Sequence, residues 1–233
     1  MKTFAILLVA GKSTRFESNI SKQVFLLKGK PVFSYPLDAL LNNSSIDEVV
    51  VVTSVDHKSE IENYINGNPK AKVCLGGETR QVSVEHGLAM LKAEENDVVL
   101  IHDGARPLLD KDIINRTIAA TKEFGAVTTS LPMEDTVAIQ DFEEHIVGMT
   151  DRTSLVKVQT PQAFKFGIIN EAHKLASDTS ATDDCSLVMK MLIQVKLIPG
   201  SKKLAKLTTV DDIKYLETFI KWQNTKLMTL LKV

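Results

Sequence analysis

Three polar clusters in this sequence follow apolar runs, and their residue types suit the handling of phosphate. The first is Ala10-Gly11-Lys12-Ser13-Thr14-Arg15, with Lys22-Gln23 close behind. Small residues let backbone N–H groups approach a phosphate, while Arg15 and Lys22 can neutralise its charge. Gly-Lys-Ser suggests a Walker loop, but that motif needs a glycine five positions before Gly11, where Ile6 stands. A dinucleotide fingerprint fails too, because Ser13 and Phe16 occupy its later glycine positions. An ordinary strand–turn–helix corner with solvated basic residues would carry the same letters.

The second cluster, Gly76-Gly77-Glu78-Thr79-Arg80-Gln81-Val82-Ser83, opens a helix that continues through Val84, Leu88 and Leu91. Two glycines allow close backbone approach, and Ser83 stands where a hydroxyl can cap the helix or meet a ligand. The third is His102-Asp103-Gly104-Ala105-Arg106-Pro107. Asp103 could hold a divalent cation that bridges phosphates, and Arg106 could pair with a phosphate bidentately. A salt bridge between these two is the simpler alternative. Zinc chemistry is excluded by spacing: the five histidines form no ligand pattern, and Cys74 and Cys185 are far apart. No G-x-S-x-G elbow occurs.

The elements that position these clusters follow from the apolar pattern. Continuous runs predict buried strands at Phe4–Ala10, Glu48–Thr53, Lys72–Leu75, Val98–Ile101 and Ala126–Leu131. Helical spacing appears over Pro31–Leu41 and after Lys111, through Ile113, Ile114, Ile118 and Phe124. Doubly buried strands alternating with helices predict an α/β fold, a mostly parallel sheet whose ligands bind at the carboxyl ends of the strands. Residues 133–160 break this rhythm. Asp135–Ile139 and His145–Val147 read as short strands around an acidic turn, a protruding β-arm. The last ten residues, 224–233, read as a packing helix. No repeat or linker divides the chain, so residues 1–233 read as one domain.

The chain has 233 residues, 28 Lys+Arg and 29 Asp+Glu, for a net charge of −1. That balance supplies no field for nucleic acid, and the basic cluster at 202, 203 and 206 lacks interleaved aromatics. No apolar stretch approaches membrane-spanning length. Two isolated cysteines and no leader-type cleavage site predict a reduced, cytoplasmic protein.

Read in order, these clusters with Asp135-Thr136, Thr150-Asp151-Arg152, Gln159-Thr160-Pro161-Gln162, residues 182–186 and residues 204–213 resemble the 2-C-methyl-D-erythritol 4-phosphate cytidylyltransferases of non-mevalonate isoprenoid synthesis. The resemblance implies a Rossmann-like sheet of glycosyltransferase-A type. It also implies magnesium-dependent transfer of CMP from CTP to a polyol phosphate, with release of pyrophosphate. By the same resemblance, Arg15 and Lys22 stabilise phosphate charge in the transition state. Ala10, Gly11, Ser13, Gly77, Arg80, Ser83 and Ala105 surround the nucleotide, and Asp103 lies by metal and acceptor. Arg106, Thr136, Arg152 and Lys206 fall on the acceptor side, Thr136 and Arg152 reaching the site of a neighbouring subunit. A homodimer is therefore implied.

Four positions depart from the family pattern: Ser13 for glycine, Ser21 for proline, Val82 for aspartate and Leu204 for asparagine. They leave open a relative acting on ribitol 5-phosphate or another polyol phosphate, and a nucleotide-binding relative that has lost catalysis. The Thr-Asp-Arg and Ala-Arg-Pro wording favours the methylerythritol acceptor. Retention of Arg15, Lys22, Asp103, Arg152 and Lys206 argues for an active enzyme.

Overall fold

All five predicted strands form, Glu48–Thr53 with the predicted bounds and the others shifted by one or two residues. The computed structural model describes residues 1–11, 16 and 21–230, with side chains as far as residue 220. In chain order the elements are β1 (Thr3–Leu8), β2 (Leu26–Leu27), β3 (Lys30–Pro31), α1 (Ser34–Leu41), β4 (Glu48–Thr53), α2 (Val55–Ile65), β5 (Ala71–Leu75), α3 (Arg80–Ala89), β6 (Val98–Asp103), α4 (Lys111–Phe124) and β7 (Ala126–Pro132). There follow β8 (Val137–Gln140), β9 (Ile146–Thr150), β10 (Val156–Lys165), α5 (Phe166–Lys174), α6 (Asp184–Lys190), β11 (Lys196–Pro199) and α7 (Asp211–Leu230).

Among the described residues the main sheet has seven strands in the order β11-β7-β10-β6-β1-β4-β5. β10 alone runs antiparallel to its neighbours β6 and β7; the other pairs are parallel. Strand alternation explains the two-sided burial. Along β1, Ala5 and Leu7 pack with residues of α1, α2 and α4, whereas Phe4 and Ile6 pack with residues of α3, α5 and α6. The β-branched run Val49–Val52 does the same in β4, one valine to each face in turn. A third apolar cluster joins Leu216 and Ile220 of α7 to Phe16, Leu27 and Leu207. The helix backbone continues through Leu230. The packing expected of residues 224–233 lies outside the described side chains.

The arm strands β8 and β9 pair antiparallel, apart from the main sheet. Ile139, Phe142, Ile146, Val147 and Met149 are all exposed on this hairpin. Val156–Thr160 already belongs to the main sheet through β10. No described helix is long and apolar enough to cross a membrane.

Candidate active site

The polar clusters converge where the strand order reverses, the usual ligand crevice of an open α/β sheet. β1 lies between β6 and β4, and Leu8 at its end pairs in register with Asp103 at the end of β6. A cavity of about 260 Å³ opens there. Ala10, Gly11, Lys22, Gly77, Arg80, Ser83, Asp103, Ala105 and Lys206 all line it, from segments spread over nearly two hundred residues. An adjoining cavity of about 170 Å³ shares Arg80, Asp103 and Lys206 and adds Arg106, Thr160 and Thr182. Arg15 and Ser13 lie outside the described residues. Thr136 and Arg152 line neither cavity; both are exposed, and Arg152 Nη1 donates to the Glu134 carbonyl at 2.9 Å.

Asp103 sits at the junction of the two cavities. Its Oδ2 accepts from Lys206 Nζ at 2.7 Å and its Oδ1 from Arg80 Nε at 3.3 Å. Arg106 Nε is 3.9 Å away, and Arg106 instead gives Nη1 to the Leu204 carbonyl at 2.6 Å. Burial would raise the Asp103 carboxyl, but Arg80, Lys206 and Arg106 override it and hold it far below the usual carboxylate range. The carboxylate stays ionised throughout the physiological range.

Arg80 is a bridge that sequence reasoning does not supply. Its Nη1 donates to buried Asp184 Oδ2 at 2.7 Å, and Asp184 Oδ1 is 3.2 Å from His173 Nε2. Burial would lower the Arg80 guanidinium, yet Asp184 and Asp103 reverse this and raise it. Asp184 is fixed further by its own N–H, which donates to Gln162 Oε1 at 3.1 Å. The guanidinium is thus oriented from both sides, and only its Nη2 is buried without a partner.

The second cluster is built by close approach. A Cβ at Gly76 would lie 2.5 Å from Ala10 Cβ and 2.7 Å from Ser83 Oγ, so only glycine lets this strand end reach the first loop. The helix cap is Thr79, whose side chain accepts from Val82 N–H at 3.2 Å. Ser83 stands inside α3 instead; its hydroxyl donates to the Thr79 carbonyl at 2.9 Å and accepts from Gly77 N–H at 3.1 Å.

Three of the departing residues have local roles. Ser21 Oγ donates to Gln23 Oε1 at 2.5 Å, and Gln23 Nε2 donates to the Gly11 carbonyl at 2.7 Å, which ties Gly11 to the Lys22 segment. Val82 packs against Gly77, where a Cβ would come within 2.2 Å of Val82 Cγ1. Leu204 is fully buried in the core while its carbonyl receives Arg106.

Behind Asp103 lies His102, fully buried. The Asp103 N–H donates to Thr160 Oγ1 at 3.1 Å; Thr160 Oγ1 lies 3.2 Å from His102 Nδ1, and His102 Nε2 lies 3.0 Å from the Arg106 carbonyl. A carbonyl only accepts, so the neutral Nε2–H tautomer satisfies the whole chain. Burial pushes the imidazole down to about 4 from its ordinary 6.5. The unfolded chain therefore binds a proton that the native protein refuses as pH falls from 6.5 toward 4. Stability drops over that window, by roughly 3 kcal/mol in all, and levels off for this group below it. Urea unfolding at pH 7 and pH 4.5 should show the loss, and His102→Gln, still a neutral donor, should flatten it. An equal pH slope in both proteins would assign the effect elsewhere.

The comparisons with known proteins agree on one family. Residues 3–221 match the model described as IspD: 2-C-methyl-D-erythritol 4-phosphate cytidylyltransferase. The protein of that name from Caldanaerobacter subterraneus subsp. tengcongensis is 35% identical over 95% of this chain and 100% of its own length. One from Clostridium novyi is 38% identical over 91% of this chain and 94% of its own. Among solved structures, the 4-diphosphocytidyl-2C-methyl-D-erythritol synthase of Anaerococcus prevotii superposes with a TM-score of 0.83 at 27% identity, covering 94% of this chain and 96% of that one. The match thus spans β1, β5 and β6, whose ends build the cleft, and the Lys206 loop that closes it. The chain belongs to the 2-C-methyl-D-erythritol 4-phosphate cytidylyltransferase family.

Proposed function

We propose that the two adjoining cavities are the CTP and acceptor sites of a cytidylyltransferase that converts 2-C-methyl-D-erythritol 4-phosphate, and that the transfer occurs where they meet. The observation that carries this reading is their shared wall of Arg80, Asp103 and Lys206. An oxygen of the acceptor phosphate attacks the α-phosphorus of CTP. The new P–O bond forms as the bond to the β-phosphate oxygen breaks, and pyrophosphate leaves. Phosphoryl chemistry of this kind depends on positioning and on charge stabilisation. Lys22 faces the nucleotide cavity, where Arg15 joins it by family resemblance. Lys206 faces both cavities, and its partner Asp103 keeps its ammonium directed at the junction.

Magnesium belongs to this proposal. The described residues hold no cluster of three His, Cys, Asp or Glu, so a cage made of protein alone is not available among them. Mg²⁺ commonly takes one or two carboxylates together with substrate phosphates, and Asp103, whose oxygens here accept from Lys206 and Arg80, would hold the ion by exchanging one of those contacts for it. When bound, the ion would neutralise charge on the phosphates. The ribitol 5-phosphate reading is disfavoured by the names of the relatives above.

A homodimer is the remaining part. An isolated hairpin is marginal in water, and β8–β9 leaves five large apolar residues exposed. A second copy would cover them and bring Thr136 and Arg152 to the neighbouring acceptor cavity. We place the enzyme in the cytoplasm, where CTP is made and where Cys74 and Cys185 stay as free thiols.

The test is pyrophosphate release with CTP, magnesium and a panel of polyol phosphates, repeated with ATP and GTP. The expected result is turnover with methylerythritol phosphate and CTP, and little with the purine nucleotides. Turnover of ribitol 5-phosphate alone would replace the acceptor and keep the chemistry.

A further inference from the structure

The motif Gln159-Thr160-Pro161-Gln162 has its own geometry, apart from the reacting groups. Along β10 the ladder with β7 pairs Val158 with Ser130 and next pairs Gln162 with Thr128, so residues 159–161 fall out of register. The carbonyls freed by this irregularity are not wasted. Gln159 O accepts from the Thr128 hydroxyl at 3.2 Å and Pro161 O from the Thr129 hydroxyl at 3.1 Å.

The buried Gln159 side chain uses both ends of its amide on one residue of another segment. Its Nε2 donates to the Ser201 carbonyl at 3.0 Å, and its Oε1 accepts from the Ser201 N–H at 3.1 Å. A primary amide laid along a peptide in this way makes a two-point attachment resembling one rung of a sheet. Gly200 admits the approach, because a Cβ there would lie 2.2 Å from Gln159 Oε1 and 2.9 Å from the Ser130 carbonyl. Immediately after Ser201 comes a short 3₁₀ turn, Lys202–Leu204, and then Lys206.

The loop that carries Lys206 is thus fixed at both ends. Gln159 holds its start, Arg106 holds the Leu204 carbonyl at 2.6 Å, and the Ala105 carbonyl accepts from Leu207 N–H at 2.7 Å. Only a few residues separate these points, so a shift at the start of the loop is passed on toward the place where the Lys206 ammonium meets Asp103. We propose that Gln159 is a positioning residue for Lys206, its amide clamp on Ser201 setting the lysine at the junction of the two substrate cavities. The proposal rests on the transfer reading given above.

The experiment is a double-mutant cycle of Gln159→Met and Lys206→Ala, with kcat, both KM values and thermal unfolding measured for each protein. Methionine keeps the volume and removes both hydrogen-bonding ends. Gln159→Met alone should lower kcat by about tenfold or more with the KM for CTP nearly unchanged, and should add less than about twofold in the Lys206→Ala background. Should Gln159→Met not fold, Gln159→Glu enters the same cycle; its carboxylate still accepts from Ser201 N–H but faces the Ser201 carbonyl without a donor. Equal fold-losses in both backgrounds would reduce Gln159 to a general structural role and overturn the proposal. Normal kcat in a folded Gln159 variant would overturn it as well. Wild-type kcat in Lys206→Ala would remove the lysine's part in transfer and the clamp's purpose with it, an outcome distinct from the first two.

Discussion

Lys206→Ala is expected to lower kcat by about 10²–10³-fold while the fold and CTP binding survive, the usual scale for losing one preorganised contact to developing charge. The lysine is anchored from below by Leu204 and Leu207, both fully buried, so shortening its side chain removes no core residue. What disappears is the ammonium 2.7 Å from Asp103 Oδ2, on the wall that both cavities share. Asp103 keeps Arg80, so the carboxylate is not left buried without a cation. The loss should therefore fall on kcat and on the KM for the acceptor more than on the KM for CTP. Lys22→Ala, on the nucleotide wall, should lose kcat by a similar factor. Steady-state kinetics with each substrate varied, beside thermal unfolding, reads the difference. Turnover within a few-fold of the parent for both variants would take these lysines out of the chemistry.

Mixing inactive Arg152→Ala with inactive Lys22→Ala should restore activity from almost nothing. Arg152 is exposed beside the arm and lines neither cavity of its own chain, whereas Lys22 lies in the cleft. If Arg152 serves the neighbouring acceptor, a hybrid dimer holds one site with both residues intact and one with neither. Random exchange makes about half the dimers hybrid, so about a quarter of parental activity should return. The planar guanidinium suits bidentate pairing with an acceptor phosphate, which an alanine cannot supply. No recovery after verified subunit exchange, or a fully active monomer, would contradict the shared site.

Five of the seven strands of the main sheet were legible because burial on both faces leaves uninterrupted apolar runs, as in Ile6-Leu7-Leu8 or Val49–Val52. β10 escaped for a physical reason: its first half alternates lysine, valine and glutamine, and Pro161 argues against a central strand. The proline is accommodated because it falls in the register break between Val158 and Gln162. Short α6 offers too few turns for a periodic signal.

In the site, the phosphate-type clusters were readable from local composition, since glycines and cations sit next to one another in the chain. Partnerships between distant segments were not. Arg80 reads as a ligand-contacting cation and lines both cavities, while its Nε and Nη1 go to Asp103 and to Asp184, 104 residues away. Ser83 reads as a hydroxyl that caps the helix or meets a ligand; Thr79 takes the cap, and Ser83 lines the cavity while accepting from Gly77 N–H. His173 and the Gln159–Ser201 clamp carry no local signature at all, because each depends on a contact that only the folded sheet creates.

The most direct test of transfer between the two cavities is to follow the protein with CTP, magnesium and 2-C-methyl-D-erythritol 4-phosphate by phosphorus NMR. The account predicts loss of the triphosphate signals with equal appearance of pyrophosphate and of a coupled diphosphate pair joining cytidine to the alcohol, and no reaction without the acceptor. Pyrophosphate formed without that diphosphate product, or no conversion of this acceptor while ribitol 5-phosphate is consumed, would contradict it.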